Sequence, residues 1–211
     1  MPDTPVTEEP WASHTQLLAE GLTIPAQVNF VGKGADLYEL GYGFHGSALV
    51  ITRYLRTAWL WDRVRVRGGA YGVFCVLDRP SGLLTFVSYR DPNLMETLDA
   101  FDQAASFLKD KELGDKELLK SIIGAIGDLD SHMLPDAKGF ASMIRYLIGD
   151  TEQDRQQMRD EILSTKSTHF KTFGLVLEQV KRNGIIKILG PPSAVETDAT
   201  KRLGLQLVKV L

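Results

Sequence analysis

Four histidines, a single cysteine, a block of arginines and the tyrosine that follows it are the side chains here best equipped for chemistry. His14, His45, His132 and His169 never fall at i, i+3 or i, i+4, and neither His-x-x-Glu-His nor His-Glu-x-x-His occurs. A zinc site made by this chain alone would have to gather ligands from scattered loops. Asp128, Asp130 and Asp136 flank His132, and capping and turn formation account for them more simply than a metal cluster. Cys75 sits in an apolar run without a basic neighbour, which marks a small core residue and not a nucleophile. Gly-Gly-Ala-Tyr-Gly at 68–72 has the glycine content of a phosphate loop. It precedes a strand, however, where a phosphate cradle precedes a helix, and the Gly-Lys-Ser/Thr ending is missing.

The arginines and the tyrosine carry the remaining signal. Arg63, Arg65 and Arg67 alternate with Val64 and Val66, a period of two that puts the arginines on one side of an extended segment. Gly68, Gly69, Ala70 and Tyr71 follow. One reading makes these surface arginines and a packed tyrosine, since charged side chains are mostly solvated. The other makes Arg65 and Tyr71 a donor pair over a glycine-lined groove, hydrogen-bonding the carbonyls of a bound peptide. Where such a carbonyl becomes an oxyanion, each donor is worth about 2.7–4 kcal/mol by analogy with oxyanion holes. Spacing alone leaves both readings open. Trp59 and Trp61, near a helix end, read as packing residues.

Around this block, residues 71–77 and 83–89 read as a hairpin joined by Asp78-Arg79-Pro80-Ser81-Gly82. Upstream, a short helix is expected over 11–19, ended by Gly21, and a strand over 24–31 that buries Ala26, Val28 and Phe30. Glycines 32, 34, 41, 43 and 46 then read as a loop, and a helix as running over 47–61. Downstream, Asp91 is expected as the N-cap and Pro92 as the first residue of another helix. Helices follow over 116–129, 138–148, 151–164 and 168–182, with Phe140, Met143, Ile144 and Leu147 expected to point inward. A short strand at 185–189, a helix around 194–203 and a strand over 205–211 close the chain. Hairpins with helices grouped together favour an α+β fold, a two-layer sandwich whose mainly antiparallel sheet is covered by helices.

A chain of 211 residues with 44% hydrophobic content builds one generous domain. The formal charge of −3 gives no reason to expect nucleic acid or an anionic membrane as partner, and no apolar run is long enough to span a bilayer. One cysteine excludes an internal disulfide. The first twenty residues, rich in proline and acids, read as a flexible lead-in and not as a signal peptide, with the domain proper over 21–211.

Several longer stretches act together: RVRVRGGAYG at 63–72, LWD at 60–62, SYRDPN at 88–93, IGDLDSHMLPDAKG at 126–139 and IPAQVNFVGKG at 24–34. With these stretches, from about Glu20 to near its end and without large gaps, the chain resembles the C-terminal domain of the presequence-protease branch of the pitrilysin/insulinase superfamily of zinc metallopeptidases. The resemblance implies a clam-shaped enzyme of two halves, each of two related α+β domains, enclosing a chamber in which short unstructured peptides are cut. It places zinc and the general base in an N-terminal half that this chain lacks, so the chain alone holds no metal and is expected to be inactive. It gives Arg65 and Tyr71, six residues apart, the task of holding the substrate backbone and stabilising the tetrahedral intermediate, with Gly68, Gly69 and Ala70 beside the peptide. Arg67 falls on the variable position of the pattern. The implied partners are the zinc-bearing half and peptide substrates. The implied location is the cytoplasm if bacterial, a mitochondrial or plastid matrix if eukaryotic. A catalytically inactive structural or binding subunit of the same fold is the alternative; an unrelated α+β enzyme is a third.

Overall fold

The computed structural model describes residues 18–210. The helix expected over 11–19 and most of the lead-in lie outside the described residues, although Ala19 already belongs to a strand. The described strands are β1 (Ala19–Thr23), β2 (Phe30–Asp36), β3 (Gly72–Leu77), β4 (Leu83–Tyr89), β5 (Ile185–Gly190) and β6 (Gln206–Lys209). They form one sheet in the order β3-β4-β2-β5-β1-β6. The pairings β3–β4, β4–β2 and β2–β5 are antiparallel, and β1 runs parallel to both β5 and β6. The sheet is therefore mixed and mainly antiparallel, and helices cover one face of it, as an α+β two-layer fold requires.

Alternation decides which face is which. Val31, Lys33 and Ala35 of β2, Val73, Cys75 and Leu77 of β3, and Leu84, Phe86 and Ser88 of β4 are buried, pointing towards the helices. Helix α1 (Ser47–Tyr54) and its continuation, α2 (Met95–Asp110) and α6 (Ser167–Asn183) supply the opposing layer, with Ile51, Leu55, Phe101, Leu108, Phe170 and Phe173 in the core. Lys33 is a charge on that inner face. It is held by Asp102 of α2 at 2.5 Å and by the Lys181 carbonyl of α6 at 3.1 Å, since a buried ammonium needs both a counter-charge and acceptors. Cys75 lies in the same layer, where burial pushes its thiol pKa far up and keeps it protonated.

Four expectations are corrected. The strand expected over 24–31 begins only at Phe30 and runs on through Gly32 and Gly34, residues read as loop. At Gly34 a Cβ would sit 2.7 Å from the Leu84 carbonyl oxygen, so the close approach of β4 selects glycine where strand propensity alone would not. The segment 63–67 is helical, not extended: helix α1 continues as a π-helix over Leu55–Arg67. Leu55 and Val64 are both buried in it. Nine residues span about two and a half turns of an α-helix, which would put them on opposite faces. In a helix bonded i to i+5 the same interval comes close to two whole turns, and both face the core. Asp91 does not cap α2, which starts at Met95. Finally, α4 (Pro135–Ile148) buries no residue, so Phe140, Met143, Ile144 and Leu147 lie on the surface, as do Leu119 and Ile123 of α3 (Asp115–Leu129). The remaining helix, α5 (Glu152–Leu163), carries the Thr151 cap as expected, in a capping box with Asp154. The C-terminal helix expected around 194–203 appears as two short turns, Pro192–Val195 and Asp198–Lys201.

Candidate functional site

The π-helix sets where each arginine goes. Its rungs pair residues four and five apart: Arg63 lies over the Trp59 ring at 4.7 Å, Arg65 over the Trp61 ring at 4.1 Å, and Arg67 pairs with Asp62 at 2.9 Å. The three arginines therefore splay instead of sharing one side. Trp59 is a core residue, donating from Nε1 to the Ala100 carbonyl at 2.8 Å and stacking on Phe107. Trp61 stands on the surface and is the platform for Arg65.

The helix ends at Gly68, and Gly69, with φ +79°, turns the chain back. Gly68, Gly69 and Ala70 donate in turn to the carbonyls of Arg63, Arg65 and Val64. Ala70 is 3% exposed, so its methyl lies in the core and its N–H is already spent. Tyr71 emerges beyond it, its side chain 67% exposed and its ring set edge-on to Tyr89 at 5.8 Å. Across this reversal Arg65 Nε donates to the Tyr71 carbonyl oxygen at 3.0 Å. Among the described residues nothing accepts from the two terminal guanidinium nitrogens or from the Tyr71 hydroxyl.

Arg65 and Tyr71 thus line one shallow cleft of about 470 Å³, together with Trp61, Gly72, Val73, Phe74 and Tyr89. Gly68 does not share it and lines a separate hollow with Trp59, Arg63, Asn93 and Glu96. The cleft opens at β3, the edge of the sheet, where Phe74 and Tyr89 of the uncovered face meet Trp61 and Arg65 of the π-helix. Family resemblance points to Arg65 and Tyr71, which spacing alone leaves open. The sequence reading takes Trp61 for packing and misses Phe74 and Tyr89, whose only signal is large apolar character at positions the sheet leaves exposed.

SYRDPN holds this end of the hairpin in place. Asp91 is completely buried and exchanges backbone hydrogen bonds with Asn29 at 2.8 Å in both directions. Its carboxylate accepts from Asn93 N at 2.9 Å and from the Thr97 hydroxyl at 2.7 Å, and the Asn93 side chain donates to the Gly68 carbonyl. Arg90, at φ +50°, accepts from Tyr71 N. The knot ties β2, the start of α2 and the end of the π-helix to the strand that carries Tyr89.

No three His, Cys, Asp or Glu side chains converge among the described residues, so these do not fit a zinc site and no metal-dependent step runs through them. The family profile described as the PreP C-terminal domain matches residues 19–190. The chain belongs to the PreP C-terminal domain family. The chain is 46% identical over 189 residues to "Presequence protease 1, chloroplastic/mitochondrial" of Arabidopsis thaliana, covering 90% of the chain and 17% of the relative. Its fold matches that of pitrilysin at a TM-score of 0.62, with 10% identity over 90% of this chain and 22% of that one. It also matches the peptidase M16 inactive domain from Pseudomonas fluorescens at 0.56, with 14% identity over 82% of this chain and 44% of that one. The chain spans about a sixth of the length of curated relatives such as the one from Arabidopsis thaliana.

Proposed function

We propose that this PreP C-terminal domain is the metal-free substrate clamp of a zinc metalloendopeptidase that degrades short unstructured peptides. The observation that carries the reading is that Arg65 and Tyr71 line one open cleft at the sheet edge with unspent donors. Stacking on Trp61 and the bond to the Tyr71 carbonyl fix the guanidinium before any ligand arrives, leaving its terminal N–H groups for a peptide carbonyl. The Tyr71 hydroxyl is a single donor on a rigid ring beside it. As a scissile carbonyl gains negative charge, both bonds strengthen, which is how preorganised donors lower a barrier.

Zinc would then be supplied by another part of a longer polypeptide. The relatives' length supports this, since the chain accounts for only 17% of its Arabidopsis relative. The apolar side chains exposed on α3 and α4, among them Leu119, Ile123, Phe140 and Leu147, support it too. In a eukaryote the enzyme would work in a mitochondrial or plastid matrix, in a bacterium in the cytoplasm. The alternative, an inactive structural subunit of the same fold, leaves the donor pair at the cleft without a task.

Purified chain, assayed with an unstructured peptide and added zinc, is expected to bind the peptide and leave it uncut, and Arg65→Ala is expected to weaken binding about tenfold. Chelator-sensitive turnover by the chain alone, or unchanged binding by Arg65→Ala, would overturn the reading.

A further inference from the structure

The outer face of the sheet carries a second hollow. A trough of about 580 Å³ runs along β2, with Gly32 and Gly34 as its floor, Leu83, Thr85 and Val87 of β4 on one wall, and Ile185 and Lys187 of β5 on the other. The floor is bare backbone whose hydrogen bonds are already used in both ladders, so the trough offers room and a mainly apolar lining, with Asp36, Glu39 and Ser81 also bordering it.

The two glycines differ in what requires them. At Gly34 the β4 backbone leaves no space for a Cβ. At Gly32 a Cβ would lie 3.4 Å from the Lys187 carbonyl oxygen and 4.0 Å from that of Phe86, which is ordinary contact, and Gly32 is not among the glycines with positive φ. The fold would accept a side chain there, and a glycine inside a strand weakens it. What a side chain at Gly32 would take away is the volume of the trough.

The trough and the cleft share no lining residue but are neighbours at this end of the sheet, with the rings of Tyr89 and Phe30 between them. The Tyr71 ring meets Tyr89 at 5.8 Å, Tyr89 meets Phe30 at 5.4 Å, and Phe30 stands one β repeat from Gly32 on the same face. About five residues of extended peptide, at roughly 3.3 Å each, would cover that path. We propose that the trough over Gly32 and Gly34 receives an apolar side chain of the same peptide whose main chain Arg65 and Tyr71 hold. This rests on the clamp reading and gives it a substrate preference: an apolar residue about five positions from the held bond.

The test uses the full chain and two fluorescein-labelled, unstructured twelve-residue peptides, one with a single leucine and one with serine in its place. Wild type is expected to bind the leucine peptide about tenfold more tightly, the scale of burying one aliphatic side chain. Gly32→Val is expected to keep or raise the thermal midpoint while bringing the two affinities within about twofold. Gly32→Ala, a smaller filler, is expected to fall between. A leucine preference that survives in Gly32→Val, or that wild type lacks, overturns the proposal. So does a dimer in solution that Gly32→Val dissociates, since the trough would then belong to a second copy. Arg65→Ala is expected to weaken both peptides equally; if it weakens neither while the leucine preference stands, the clamp fails and the trough survives.

Discussion

Arg65 and Tyr71 are joined by a hydrogen bond from the Arg65 Nε to the Tyr71 carbonyl oxygen, 3.0 Å long, across the turn that ends the π-helix. That bond uses one face of the guanidinium fork on the protein itself and leaves the other for a ligand. Lysine cannot do both, because it has no planar fork and cannot stack on Trp61 in the same way. Arg65→Lys is therefore expected to keep the fold, with a stability loss under about 1 kcal/mol at this partly exposed site, but to weaken peptide binding about tenfold. Fluorescence anisotropy with a labelled unstructured peptide, alongside a urea melt, reads both.

Trp59 is expected to act on stability alone. Trp59→Phe removes the donor that meets the Ala100 carbonyl in the core and leaves that carbonyl with its intrahelical bond alone. A loss of about 0.5–1.5 kcal/mol in urea denaturation is expected, with peptide affinity unchanged. By contrast, Trp61→Ala is expected to weaken binding with little effect on the melt.

Asp91 anchors the knot behind the cleft. Asp91→Ala strands the Asn93 N–H and the Thr97 hydroxyl in a buried place. A loss of about 3 kcal/mol is expected, and calorimetry should show the thermal midpoint lower by about 6–12 °C for a chain of this size.

Acid stability turns on His169, whose ring lies 4.9 Å from that of His45 and whose Nδ1 accepts from Lys166 N. Burial, then the nearby His45 and Lys166, hold its pKa below the usual imidazole value. Facing it, His45 bonds Ser47 and Glu161 accepts from Gly46 N. The unfolded chain thus takes up this proton before the folded one. Stability is full above about pH 6.5, and it falls as the pH drops towards the lowered folded value. Urea midpoints at pH 7.5 and 5.5 are expected to differ in wild type and to converge in His169→Asn, which keeps an acceptor for Lys166 N.

Much of this was legible in the residues. The β4 boundaries, the Thr151 cap, α6 and β5 follow from apolar period and turn chemistry, because those segments pack on one face only. The misses have physical causes. Five residues of alternating valine and arginine satisfy a strand and a widened helix alike, and only the burial of Leu55 with Val64 separates them. Glycine carries no strand propensity, so β2 hid behind Gly32 and Gly34 until the approach of its neighbours gave the reason. The stripe on α4 announced burial, but nothing among the described residues buries it. Arg65 and Tyr71 were legible as a pair through family resemblance. The cleft around them was not, since Trp61, Phe74 and Tyr89 come from a helix and two strands that only the fold brings together.

The most direct measurement is steady-state kinetics of Tyr71→Phe in the full-length polypeptide with an unstructured peptide substrate. A donor whose bond strengthens as the oxyanion forms should, when lost, lower kcat about a hundredfold and leave KM within about twofold. An unchanged kcat, or a change confined to KM, would contradict the role given to Tyr71 and to the cleft it shares with Arg65.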